Sequence, residues 1–153
     1  MSTSLLYHTF GVRGYEYRST AYGGGGMTMT IEQPRQALCC SQCGGKKVHA
    51  KGGVVREFRS LPIGGKPVRL RMTVPRVLCR TCFVERQVSV GFADPKKSYT
   101  RPFARYVIEL SRMMTLADVA RHPRFLESDR QRIIDKHVRD NAISMAQPGS
   151  LAQ

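Results

Sequence analysis

"KPVRLRMTVPRVLCRTC", residues 66–82, decides how this chain folds. Val68, Leu70, Met72 and Val74 alternate with Arg69, Arg71 and Thr73. A period of two sends successive side chains to opposite faces of a strand, so one face is buried and the other carries guanidinium groups. The stretch ends in Cys79 and Cys82, a C-x2-C pair. Upstream, "GGVVREFRS" supplies a second arm of β-formers, and "LPIGG" between the arms supplies a turn. The pattern predicts a hairpin leading from an earlier cysteine cluster to a later one.

The earlier cluster is "LCCSQCGG", residues 38–45, with three cysteines. Cys40 and Cys43 repeat the C-x2-C spacing, and Cys39 stands just outside it. Each C-x2-C is a tight turn that aims two thiolates at one point, and two such turns supply the four ligands of tetrahedral zinc. Gly44 and Gly45 follow Cys43 directly, where a knuckle turns backbone amides towards sulfur and needs a residue tolerant of positive φ. Cys40, Cys43, Cys79 and Cys82 are the expected ligands, with Cys39 a bystander. Four thiolates leave no position for water, so the expected zinc ion is structural and contributes to folding. The alternatives are a set that borrows Cys39 or His49, buried cysteines without metal, and a redox dithiol, which lacks a βαβ context here.

Outward from this centre, "VERQVSV" sets Val84, Val88 and Val90 against Glu85, Gln87 and Ser89, a third short strand. Before it, "GYEYRSTAY" and "MTMTIE" flank a glycine run and read as a loose N-terminal hairpin or arm over residues 1–37, although the run could equally be a flexible linker. Past Asp94-Pro95 the period becomes helical, with Phe103, Tyr106, Val107, Leu110, Met113 and Met114 on one stripe and Thr100 as N-cap. A second helix, capped by Thr115 with Asp118, stops at Pro123, and a third starts near Ser128 and runs through "DRQRIIDKHVRD". The expected fold class is α+β: a small β-rich zinc-ribbon-like module followed by a three-helix, helix-turn-helix-like bundle. The expected division is 1–37 hairpin or arm, 38–93 zinc module, 98–140 helical region and 141–153 disordered tail.

Lys and Arg number 25 against 11 Asp and Glu, a formal charge of +14. Between Cys39 and Cys82 the only acid is Glu57. Such an excess favours a polyanionic partner, because each neutralised phosphate releases condensed counterion. Double-stranded DNA is the expected partner, ahead of an anionic membrane surface. The candidate contacts are Lys46, Lys47, Arg56, Arg69 and Arg71 on the zinc module, and Arg130, Gln131, Arg132 and Lys136 on the third helix. Arg and Gln read base edges and Lys mostly finds phosphate. That third helix could equally be an ordinary solvated one, since Asp129, Asp135 and Asp140 dilute its basic face. No stretch approaches the roughly twenty apolar residues of a membrane span, and the N-terminus lacks a signal-peptide pattern. These features place the chain in a reducing cytoplasm, associated with the nucleoid and with no membrane partner.

"CSQCGG", "FRSLPIGGKPVRLRMTVPRVLCRTC", "GFADPKKSYT", "RYVIELSRMMTLADVARH" and "LLYHTFGVRGY", in their order along residues 5–122, resemble the N-terminal part of ISL-three family bacterial insertion-sequence transposases. The resemblance implies a zinc finger at Cys40, Cys43, Cys79 and Cys82 and a helix-turn-helix beginning near Thr115. Together these would bind the terminal inverted repeats of the element in transposition, a form of DNA recombination. The family's glycine and tryptophan are missing from "HPRFLESDRQRIID", residues 122–135. Its RNase H-like catalytic domain would follow the region seen here, so a truncated, non-catalytic chain is expected. Asp94, Asp118 and Asp135 fall in a turn, a cap and a helix, which does not assemble an acidic triad. Two other functions fit parts of the pattern. One is an interaction or inhibitor protein that pairs with itself or with full-length transposase through the Phe103–Met114 stripe. The other is a thiol redox protein, which would need an exposed cysteine of low pKa.

Overall fold

A computed structural model describes residues 3–115 and Asp118. In chain order the elements are helix α1 (Thr3–Phe10), strands β1 (Glu16–Gly23) and β2 (Gly26–Glu32), and a 3-10 turn at Arg35–Ala37. The long strands β3 (Val48–Ile63) and β4 (Lys66–Cys79), the short β5 (Glu85–Gln87) and helix α2 (Arg101–Met113) follow.

Strand β4 is the centre of a single five-stranded sheet of order β1-β2-β4-β3, with β5 also paired to β4. Along one edge β3 runs antiparallel, from Val48 opposite Cys79 to Ile63 opposite Lys66. The other edge is shared. β2 lies parallel to its first half, with Met27 opposite Val68 and Thr30 opposite Arg71, and β5 takes its end, with Arg76 opposite Gln87. β1 extends the sheet through its hairpin with β2.

The alternation in β4 dictates this placement. Val68, Leu70, Met72 and Val74 are buried, while Arg69, Arg71 and Thr73 are exposed. Phe58 lies opposite Leu70 and is buried on the same face. Met29 and Ile31 of β2, Leu6 and Phe10 of α1, Val12, Tyr15, Phe92 and Ala93 complete the core. Phe92 meets Tyr15 and Phe58 edge-on, with ring centroids 5.0 and 5.2 Å apart, the arrangement that aromatic quadrupoles prefer. The Tyr15 hydroxyl accepts a hydrogen bond from the Gly91 N–H at 3.1 Å. Burial pushes the Tyr15 phenol pKa up, and the Gly91 N–H partly opposes that. A smaller core of Leu38, Val77 and Val88, with Val48 beside it, lies towards the cysteines. Between the two cores the β3–β4 register shifts at Ala50/Gly53. A Cβ on Gly53 would sit 2.7 Å from Thr73 Cγ2 and 2.8 Å from the Val74 carbonyl oxygen, so only glycine fits there.

Both hairpins expected from the glycine-rich turns are present as β1–β2 and β3–β4. The third strand is shorter than its alternation suggests: the Val88 N–H still donates in register to the Pro75 carbonyl at 2.9 Å, but Pro75 has no N–H to return the bond. Val88 is still buried, with Glu85, Gln87 and Ser89 exposed. Helix α2 begins where Thr100 predicts, with the Phe103 N–H donating to Thr100 Oγ1 at 3.3 Å.

Among the described residues there is no small zinc module followed by a three-helix bundle. The described residues make a five-stranded sheet with two helices, one of which precedes the sheet. The β part is larger than expected because β2 pairs with β4 and draws the N-terminal hairpin into the same sheet. Leu6 and Phe10, one helical turn apart, bury α1 in the sheet's core. The helices expected beyond Thr115 lie outside the described residues, apart from Asp118, and the tail 141–153 lies there too. The expected cap is present, since the Asp118 N–H donates to Thr115 Oγ1 at 3.2 Å. The chain divides into two units within α2, between Phe103 and Ala104. The sheet, α1 and all five cysteines belong to the first. No described helix is long and apolar enough to cross a membrane.

Candidate metal centre

Two turns at the same end of the β3–β4 hairpin carry the cysteines. Cys40 and Cys43 lie on the turn entering β3, and Cys79 and Cys82 on the turn leaving β4. Strand pairing closes the gap between them, since Val48 is opposite Cys79 and the Arg80 N–H donates to the Lys47 carbonyl at 2.9 Å. The Sγ atoms of Cys40, Cys43, Cys79 and Cys82 all lie within 4.8 Å of one another. Cys40 Sγ is 3.6 Å from Cys82 Sγ, and Cys43 Sγ is 3.5 Å from Cys79 Sγ. Zinc–sulfur bonds of about 2.3 Å in a tetrahedron put sulfurs about 3.8 Å apart, so the four fit the ion.

The two turns are built alike. The Gln42 N–H donates to Cys40 Sγ and the Thr81 N–H to Cys79 Sγ, each at 3.4 Å. The Cys43 and Cys82 N–H groups also face those two sulfurs and do most to lower their pKa values, Cys79 to about 6. Cys43 and Cys82 move the other way. The Gly45 and Val84 N–H groups favour their thiolates, but neighbouring sulfurs and burial outweigh this, and Cys82 is pushed up to about 12. Four sulfurs this close do not ionise together without a cation among them. A divalent ion supplies that charge, and the four thiolates fill its coordination. The site is a structural zinc site.

Glycine fits the first knuckle for two reasons. Gly44 has φ +70, and a Cβ on Gly45 would lie 3.3 Å from both Cys43 Sγ and Thr81 Oγ1. Cys39 is outside the four-sulfur cluster, as is His49.

The candidate DNA contacts separate. Lys46 and Lys47 are exposed beside the first knuckle. Arg69 and Arg71 are exposed on the face of the sheet opposite the core, joined by Thr28 and Thr30 through the β2–β4 register. On that face Arg59 lies opposite Arg69, and Glu57 opposite Arg71. The Glu57 carboxylate is 3.7 Å from Arg69 and 3.9 Å from Arg71, so one acid serves two cations. Arg56 belongs to the other face. Its guanidinium lies 4.9 Å over the Phe58 ring and donates to the Lys97 carbonyl at 3.0 Å. There it lines an open groove with Arg76, Arg86 and Lys96. Arg130, Gln131, Arg132 and Lys136 lie outside the described residues. Of the proposed pairing stripe, Phe103 and Val107 are buried, while Met113 and Met114 are exposed.

Two exposed residues of the second knuckle have no place among the sequence-based candidates. Arg80, between the cysteines, stands beside Lys47 through its backbone bond. Phe83, directly after Cys82, is 82% exposed with φ +54. The signal for it was legible as a departure from symmetry, because the matching position of the first knuckle is Gly44.

Among known proteins, no curated protein and no solved structure matches this chain. Residues 36–82 match the family described as the zinc-finger of transposase IS204/IS1001/IS1096/IS1165. The matched stretch begins just before the first knuckle and ends on the last cysteine, so the zinc module of this chain is similar to the zinc ribbon of those transposases.

Proposed function

We propose that this chain is a DNA-binding module of transposase type, in which zinc holds the sheet in shape and basic side chains grip the duplex backbone. One observation carries the reading. The zinc-bound hairpin lies in the segment similar to transposase zinc fingers, and it is also the segment in which Glu57 alone faces all the lysines and arginines from Cys39 to Cys82. The register supports it, since it sets Arg59 beside Arg69 on the sheet face that also carries Arg71. Lys46, Lys47, Arg69 and Arg71 are the proposed backbone contacts, with the ends of an insertion element, its terminal inverted repeats, as the natural target. The zinc itself takes no catalytic part in this role, since four thiolates fill its coordination.

A selection tests it. Zinc-loaded protein is mixed with a pool of random duplexes at near-physiological salt, and the retained DNA is sequenced. Retention with a recurring motif is expected if the chain reads element ends, and retention without one if it grips backbone only. No retention of any duplex would contradict the proposal.

A further inference from the structure

Phe83 joins two features that rarely coincide. Its backbone has φ +54, a conformation in which a Cβ crowds the following carbonyl and which glycine adopts freely. Its ring is 82% exposed. The backbone angle belongs to the knuckle, because Gly44 occupies the same place after Cys43 with φ +70. The aromatic side chain does not. Nothing in the knuckle calls for a phenylalanine where its twin has glycine, and the ring is not buried to compensate. Strain retained at an exposed position points to a role for the side chain itself.

The surroundings say what such a ring would meet. Arg80 lies three positions before it, and the Arg80–Lys47 backbone bond brings Lys47 and its neighbour Lys46 to the same end of the molecule. All three are exposed. The nearest acid along the chain, Glu85, is 3.7 Å from Arg76. An exposed ring at the end that carries these cations suits a nucleic acid, whose bases stack on aromatic side chains while its phosphates find the lysines and arginines. We propose that Phe83 is a base-contacting residue, stacking on a base or wedging into a step where the duplex is unstacked or frayed. The inference rests on the DNA-binding reading and adds to it a contact with bases at the zinc end.

Phe83→Gly and Phe83→Trp test it in the zinc-loaded chain. Glycine relieves the backbone strain, so its thermal midpoint should equal or exceed that of the wild type while binding weakens. The duplexes are one fully paired and one of the same length carrying a mismatched step. The wild type should prefer the mismatched duplex, and Phe83→Gly should lose about tenfold in affinity for it, with an unchanged salt slope. The chain has no tryptophan, so Phe83→Trp supplies a single one, excited at a wavelength its six tyrosines do not absorb. Its emission should be quenched on binding the mismatched duplex. If Phe83→Gly binds both duplexes as tightly as the wild type, or the tryptophan emission is unchanged in the bound complex, the ring meets no base and the inference fails while the DNA-binding reading stands. If the wild type binds neither duplex, both fail.

Discussion

Gly44 and Gly45 follow the same cysteine for different physical reasons, and substitutions should separate them. Gly44 has open space around its missing Cβ and a φ of +70, so Gly44→Ala should cost about 1–2 kcal/mol in denaturant unfolding through backbone strain alone. Gly45→Val would press on a liganding sulfur, so it should weaken zinc retention against a competing chelator. Cys39 and Cys79 make a second contrast. Cys39→Ser should keep one zinc per chain in metal analysis, and Cys79→Ser should lose it, because only Cys79 belongs to the four-sulfur cluster. Glu57 is the third. It is the acid shared by Arg69 and Arg71, so Glu57→Gln should tighten DNA binding several-fold at low salt in an anisotropy titration. Weaker binding would show that Glu57 orients those arginines. The ligands and the bystander were legible from spacing and glycines alone. The sharing of Glu57 was not, because it depends on the register between β3 and β4.

Among the elements, β4 carries both proposed roles on its two faces. Its buried face organises the core, and its exposed face offers Arg69 and Arg71. Replacing both by Ala should weaken binding evenly across DNA sequences and lower the slope of log affinity against log salt by about two. An unchanged slope would remove that face from the interface. Phe92 tests the packing on the other side. It meets two rings edge-on, so Phe92→Ala should destabilise the fold by about 3–5 kcal/mol in denaturant unfolding. The alternation of β4 and the turn glycines made the two hairpins readable. Two things escaped. The parallel β2–β4 pairing leaves no local pattern, since both strands read the same whichever neighbour they choose. Helix α1 is too short for a periodic signal and is held by Leu6 and Phe10 packing on a sheet that only tertiary structure supplies.

For the whole molecule, zinc, acidity and the proposed DNA binding are linked. Cys79 is lowered to about 6 from an ordinary 9.0, so its thiolate stabilises the folded site fully above about pH 9 and loses that effect as pH falls through 6. Cys82, pushed up to about 12, stabilises the metal-free fold below about pH 9 and ceases to as pH rises towards 12. Zinc needs all four sulfurs as thiolates, so protons compete with it. An indicator-dye titration should find zinc retained at pH 8 and released progressively as the pH falls below about 6. Release that ignores pH would argue against thiolate ligation. Composition pointed to an anionic partner, because +14 on one chain is a global property, and the block from Cys39 to Cys82 showed where along the chain the charge gathers. Which of those cations share a face was not legible, since it depends on the β3–β4 register and on the pairing of the two knuckles.

The measurement that tests the account most directly is the affinity of the zinc-loaded chain for a labelled random-sequence duplex across a series of salt concentrations, repeated after zinc is removed. The account predicts a linear fall of log affinity with log salt, steep enough for several phosphate contacts, and loss of binding with the metal. Absence of binding with zinc in place, or binding indifferent to salt, would contradict it.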